Sequence, residues 1–337
     1  MSSFSKGWPA IAFGAVALAV LMMGAWSSVG GPETASAQED PVAVVEALIE
    51  EFGASIPTGD GAAIAAHLTE DGAVTFLEAD GSFGIFGRAA MEIVFSEEPD
   101  PEFSVTVTEI TADGNTVTGT IEFRDSNTIE AGIDRGLANF TATVEGGLVA
   151  SLDVVDDLSD PQTAQLAEFF ASQPDEEEDE GPPSEDFVEV RMTGDQEGSG
   201  GLGSFEGVVA AFVEIAPGPE GVRQPSGIHE GTCDDLGELA QQLAPVWNGA
   251  AGSAFSADFD GLLDEPHAIA VAASADDTDT VVACANLERA AAEPGVALPD
   301  TGSAATTADG SAWPVLALAA AGLAAIAATG ALRLRRR

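Results

Sequence analysis

Gly59-Asp60-Gly61-Ala62-Ala63-Ile64-Ala65-Ala66-His67-Leu68-Thr69-Glu70-Asp71-Gly72 reads as a capped short helix that runs straight into a strand. Asp60 supplies an N-cap oxygen, and Ile64 and Leu68 share one helical face. Ala73–Glu78 then alternates apolar and polar residues and turns at Asp80-Gly81, and Gly87-Arg88 opens a third helix bearing Met91 and Val94. Upstream, Asp40-Pro41 pairs an N-cap with proline at the first helical position. Val42, Val45, Leu48, Ile49 and Phe52 follow at helical spacing until Gly53 and Pro57.

Downstream the period changes to two. Phe103, Val105 and Val107 alternate up to a turn at Asp113-Gly114-Asn115, and Val117, Ile121 and Phe123 alternate next. Phe140, Ala142 and Val144 turn at Gly146-Gly147 into Leu148, Ala150, Leu152 and Val154. Asp160-Pro161 begins a last helix with Leu166, Phe169 and Phe170. Helix, helix, strand, helix and an antiparallel meander is an order that resembles the NTF2-like fold. Over Pro41–Val155 it looks like the SnoaL-like branch, through Gly59-Asp60, Leu68–Gly72 and Gly87-Arg88.

The resemblance implies a curved antiparallel sheet wrapped on helices, a cone with a pocket at its mouth. Family members include isomerases, cyclases, epoxide hydrolases and non-catalytic binding domains, so the fold does not fix the function. The isomerase members build an oxyanion hole from a tyrosine and a protonated aspartate; this chain has no tyrosine. Strand parity offers other carboxylates. Glu78 is in phase with Val74 and Phe76, Glu109 with Val105 and Val107, and Asp125 with Ile121 and Phe123. Inside a pocket such a group acts as a base with a raised pKa; at a strand end in so acidic a chain it is simply solvated. His67 is a weaker candidate for a base, the alternative being a packed or rim histidine. Arg88 reads as a helix-start or ion-pair residue.

Composition sets the surroundings. The chain carries 57 acidic against 11 basic residues, a formal charge of −46. Such a surface repels nucleic acid and attracts cations. Ser172–Asp186, SQPDEEEDEGPPSED, is a self-repelling acidic linker, expected to uncouple what lies on either side.

Beyond the linker the pattern is short strands and turns, which predicts an all-β sandwich or Greek-key barrel. Strands are expected at Phe187–Met192, Glu206–Ile215, Ser253–Phe259, Ala268–Ala273 and Val281–Leu287, with Gly198–Gly203 flexible. Gly227-Ile228-His229-Glu230-Gly231-Thr232-Cys233 and Val281-Val282-Ala283-Cys284-Ala285-Asn286-Leu287 resemble a copper/zinc superoxide dismutase-like domain. In that family a loop cysteine after an H-x-H-E segment pairs with the cysteine of an A-C-G strand, and Cys233 and Cys284 stand at those places. They are the only cysteines, and two cysteines in an exported chain favour one disulfide. The metal site is depleted. Gly227 replaces the first histidine, alanine stands where the next would fall near Ala272, and His229 alone remains as a remnant ligand. No cofactor is expected.

The two ends carry an address. Lys6, the apolar run Pro9–Trp26 and the small-x-small site Ala35-Ser36-Ala37 read as a signal peptide. Leu298-Pro299-Asp300-Thr301-Gly302, the uncharged run Trp313–Leu332 and four terminal arginines resemble the cell-wall sorting signal of Gram-positive surface proteins. That resemblance implies that sortase cuts after Thr301 and joins it to peptidoglycan. The alternative is a plain C-terminal membrane anchor.

The expected order is therefore a signal peptide (1–37), an NTF2-like domain (38–171), the linker (172–186), a dismutase-like β domain (187–289), a spacer with the sorting motif (290–302), and a membrane helix with its basic tail (303–337). The fold class is α+β followed by all-β. The expected partners are sortase, peptidoglycan and a small apolar ligand, with no nucleic acid, and with the membrane met only through the C-terminal helix. Binding or a structural role is favoured over catalysis. The alternatives are a hydrolase, isomerase or cyclase in the cone, or a residual metal or superoxide role in the β domain.

Overall fold

The computed structural model describes residues 40–79, 81–97, 99–172, 187–205 and 207–288. The signal peptide, linker, sorting motif and membrane helix read from the sequence lie outside the described residues.

The first part is built as its capping signals dictate. The Asp40 carboxylate accepts the Val42 N–H at 3.1 Å and starts α1, Pro41–Ser55. Asp60 accepts from the Ala63 N–H at 3.1 Å and starts α2, Gly61–Ala65. The strands are β1 Leu68–Leu77 and β2 Ser82–Phe86, then after α3 (Arg88–Glu97) β3 Ser104–Asp113 and β4 Thr116–Arg124. A short α4, Ser126–Glu130, precedes β5 Gly136–Glu145 and β6 Leu148–Asp156, and α5 spans Pro161–Ser172. The sheet order is β2-β1-β6-β5-β4-β3. All these neighbours are antiparallel except β1 and β6, which run parallel. Val45, Leu48, Ile49 and Phe52 of α1 are buried in one core with Val117, Phe140, Val144 and Leu152 of the sheet. This is the element order that the NTF2-like resemblance implies, with β2 and α4 as additions that the sequence patterning did not resolve.

The second part contributes β7 Phe187–Gly194, β8 Gly198–Phe205, β9 Val208–Ile215, β10 Gln224–Thr232 and β11 Asp235–Val246. It continues with β12 Ala250–Phe255, α6 Phe259–Asp264, β13 His267–Ser274 and β14 Asp277–Leu287. Its strand order is β11-β10-β13-β14-β7-β8-β9-β12. The expected flexible stretch Gly198–Gly203 is a paired strand. Its glycines serve close packing: a Cβ on Gly198 would sit 1.9 Å from the Glu214 carbonyl oxygen, and one on Gly201 would meet the Phe212 ring at 2.6 Å. Cys233 and Cys284 form a disulfide.

The two parts are not uncoupled. β12 pairs in parallel with β2, register Ala251↔Ser82 to Phe255↔Phe86, which joins both into one fourteen-stranded sheet. Alternate residues of β2 serve different cores. Phe83 and Ile85 belong to the first, while Phe86 is buried with Val209, Leu243 and Phe255 of the second. The Ser82 hydroxyl donates to the Pro245 carbonyl at 2.6 Å, Asn248 Nδ2 donates to the Ala79 carbonyl at 2.9 Å, and Arg223 pairs with Asp153 at 2.8 Å. A linker expected to separate the modules is thereby bypassed by backbone pairing outside it.

Candidate functional site

The cone holds a cavity of about 190 Å³. Every element of the cone sheet places apolar side chains on it by strand alternation: Phe76 from β1, Phe83 from β2, Val105 from β3, Ile121 and Phe123 from β4, Ala138 and Phe140 from β5, Leu152 and Val154 from β6. Phe103 enters just ahead of β3. Ile49 and Phe52 of α1, Ile56 directly after that helix, and Phe95 of α3 close the rest. Phe52 and Phe95 meet edge to face at 5.3 Å between centroids. Two glycines make room for the large rings. Gly119 lies opposite Phe140 and Gly136 opposite Phe123 across the β4–β5 ladder, and a Cβ on either would stand 2.5 Å or less from the facing ring.

The polar groups lining this wall are Glu78, Asp100, Asp125, Asn127 and Asp156. Asp125 is the N-cap of α4. Its Oδ1 accepts the Thr128 N–H at 2.7 Å, while the Thr128 hydroxyl accepts the Asp125 N–H at 2.9 Å. Burial pushes the Asp125 carboxyl above its ordinary value. The Thr128 and Asn127 donors oppose this, and the charge of Asp100 adds to the rise. Asp100 is nearly inaccessible, at 8 % exposed. Its Oδ1 accepts the Glu102 N–H at 3.0 Å, and its Oδ2 accepts both the N–H and the hydroxyl of Ser126, at 3.0 and 2.9 Å.

Of the residues singled out from the sequence, the structure brings Glu78 and Asp125 to the pocket. Glu109 is not there. The β3–β4 register shifts between Val107 and Glu109, which face Ile121 and Thr120, so Thr108 is an extra residue on its strand. That bulge reverses the inward parity, and Glu109 faces solvent while Ile110 takes the packed side. His67 is also elsewhere, in the turn after α2, with Nε2 3.7 Å from Glu51. Arg88 donates to the Leu68 carbonyl, tying the start of α3 to β1.

Three lining residues went unrecognised. Asp156 keeps the parity of Leu152 and Val154, so alternation could have found it. Asn127 lies within the Asp125…Thr128 capping box, a readable helix start. Asp100 lies in a loop with only an Asp-Pro turn signal.

In the second module His229 Nδ1 is 3.3 Å from the Gly237 carbonyl. A Cβ at Gly227 would be 3.7 Å from His229 Nε2, so glycine occupies the neighbouring position on the same face. Gly227 pairs with Ala270, which in turn pairs with Cys284. One imidazole beside glycine and alanine does not fit a copper or zinc centre, which needs several converging nitrogen or sulfur donors. Among the described residues, no group of three or more His, Cys, Asp or Glu is placed to hold a metal ion.

No family model matches the chain, and no curated protein matches it. Solved structures do. The chain is similar to an NTF2-like protein of unknown function from Cytophaga hutchinsonii at 20% identity, over 33% of this chain and 88% of that one, with a TM-score of 0.25. It is similar to a proposed ketosteroid isomerase from Kribbella flavida at 22% identity, over 34% and 78%, TM-score 0.25. A proposed SnoaL-like polyketide cyclase from Jannaschia sp. matches at 16% identity, over 40% and 93%, TM-score 0.29. What the pocket can do is set by its own residues.

Proposed function

We propose that this is an exported, wall-anchored protein whose cone binds a small, mainly apolar molecule. The observation that carries the binding reading is the open, phenylalanine-lined cavity. Its volume of about 190 Å³ exceeds the ~150 Å³ of an engineered cavity that takes up benzene, so one ring with a substituent fits. Filling the cavity tests this. Ala138 is 1 % exposed on its wall, and Ala138→Leu should abolish uptake of a small aromatic probe, followed by ligand-observed NMR, while circular dichroism stays unchanged. Uptake by the filled variant equal to that of wild type rejects the reading.

The address rests on Leu298–Gly302 and the flanking segments. Thr301→Ala should move the protein from the wall fraction to the membrane or medium. Equal release of variant and wild type by wall digestion rejects it.

A second reading is an enzyme. It is favoured by the Asp125 carboxyl, held above its ordinary value beside Asp100 in an aromatic wall. A buried carboxyl beside a second carboxyl, on the wall of a pocket, is placed to act as a general acid or base on a bound molecule, which fits isomerase or cyclase chemistry. Asp125→Asn would then end turnover yet retain ligand binding.

For the β module we favour a disulfide-bonded, dismutase-like shell without the metal chemistry. Support comes from the Cys233–Cys284 bridge. Purified protein should hold no stoichiometric copper or zinc; one tightly held copper per chain that is lost in His229→Ala overturns this.

A further inference from the structure

We propose that the ligand of the cone is an organic cation, an amine or quaternary ammonium on a small apolar body. The inference rests on the cavity-binding reading and specifies its chemistry. Seven of the nineteen lining residues are phenylalanines and four carry carboxyl groups; the fifth polar group is an amide. No Lys, Arg or His is among them.

The arginines of the described residues are engaged elsewhere. Arg88 and Arg124 donate to the carbonyls of Leu68 and Asp134. Arg135 pairs with Glu122 and Asp160, Arg191 with Glu197, and Arg223 with Asp153. Asp100 and Asp125 take their hydrogen bonds from Glu102, Ser126 and Thr128, none of them a cation.

Each ligand class meets this wall differently. An anion would add to a set of like charges in a partly desolvated site. A neutral molecule would leave Asp100 and Asp125 repelling each other, and that repulsion is one of the causes that lift Asp125. A cation relieves it, and phenylalanine faces attract a cation through the ring quadrupole. The carboxylates are also held in place for such contact. Three donors fix Asp100, and the α4 cap fixes Asp125. Each carboxylate has about four lone-pair sites, so these contacts leave room for a further donor or a through-space charge. The −46 formal charge of the chain raises the local concentration of any cation.

The test compares isosteres by titration calorimetry on the full-length chain: benzyltrimethylammonium, its neutral carbon analogue neopentylbenzene, and benzylsulfonate. The cation should bind at least tenfold tighter than the neutral analogue, and the sulfonate should not bind. Asp100→Asn with Asp125→Asn should erase the preference and keep binding of the neutral analogue. Asn caps a helix as well as Asp, so α4 is preserved. If the double variant fails to fold, Phe123→Leu replaces it and should weaken the cation more than the neutral analogue. Asp113→Asn with Glu145→Gln, exposed positions outside the pocket, should leave the preference intact. Equal binding of cation and neutral analogue by wild type overturns the inference while the cavity reading stands. Binding of neither overturns both. A preference lost equally in the exposed control, or retained in the pocket double variant, overturns the inference in favour of general surface attraction.

Discussion

Phe86→Ala is the perturbation that bears most directly on how the chain holds together. Phe86 belongs to a strand of the cone, yet its side chain is 8 % exposed and packed in the core of the second module. Truncating a buried phenylalanine costs ~3–5 kcal/mol, from lost transfer energy and the cavity left behind. Because β2 and β12 are hydrogen-bonded neighbours, the two modules should unfold as one unit. Trp247 is the single tryptophan of residues 38–301, so its fluorescence in that segment reports on the second module alone. At a urea slope of ~2 kcal/mol per M, a loss of that size lowers the Trp247 midpoint by about 2 M. The stricter variant is Leu48→Ala. Leu48 is fully buried on α1 in the cone core, and truncation there costs ~2–5 kcal/mol. Coupled modules require Trp247 to register this too. A Trp247 transition unmoved by Leu48→Ala would refute the coupling and restore two independent modules.

The disulfide closes a separation of 51 residues, so Cys233→Ala with Cys284→Ala should cost ~4 kcal/mol in the chain-entropy view, measured by thermal unfolding; native protein should titrate no free thiol. Asp125 and Asp160 should give opposite pH slopes. Burial raises the folded-state value of Asp125, so its contribution is complete below the ordinary carboxylate value and declines as pH rises through the raised one; Asp125→Asn should flatten that decline in stability–pH curves. Burial pushes Asp160 up as well, but the Thr163 and Gln162 donors and Arg135 outweigh it and hold it low, so its contribution is present at neutral pH and lost on acidification; Asp160→Asn should narrow the acid loss. Gly136→Ala should drive the Phe123 ring into the cavity and reduce aromatic-probe uptake in calorimetry, with little change in secondary structure.

The local code was enough for α1, α2, α3 and α5 and for most of the cone, while α4 and α6 escaped it. Asp40-Pro41 and Asp60 start helices because caps act within three residues, and alternation in residues 103–156 places Phe123, Phe140 and Leu152 on one face because the strand period is two. The same rule brought Glu78 and Asp125 to the pocket. It failed at Glu109, where one inserted residue reverses the face and the missing side chain of Gly119 leaves room for the Glu109 carbonyl, which a Cβ there would meet at 2.2 Å. It was also silent on Gly198–Phe205, whose glycines carry no apolar side chains to alternate and whose strand state depends on β7 and β9. The pairing of β2 with β12 joins residues about 170 positions apart, and no window of sequence contains both partners. Asp100 reached the pocket through Ser126, on the far side of the β3–β4 hairpin. Local hydrogen bonds and side-chain period are written in the sequence, whereas bulges, strand neighbours and the meeting of distant carboxylates are decided when the whole sheet closes.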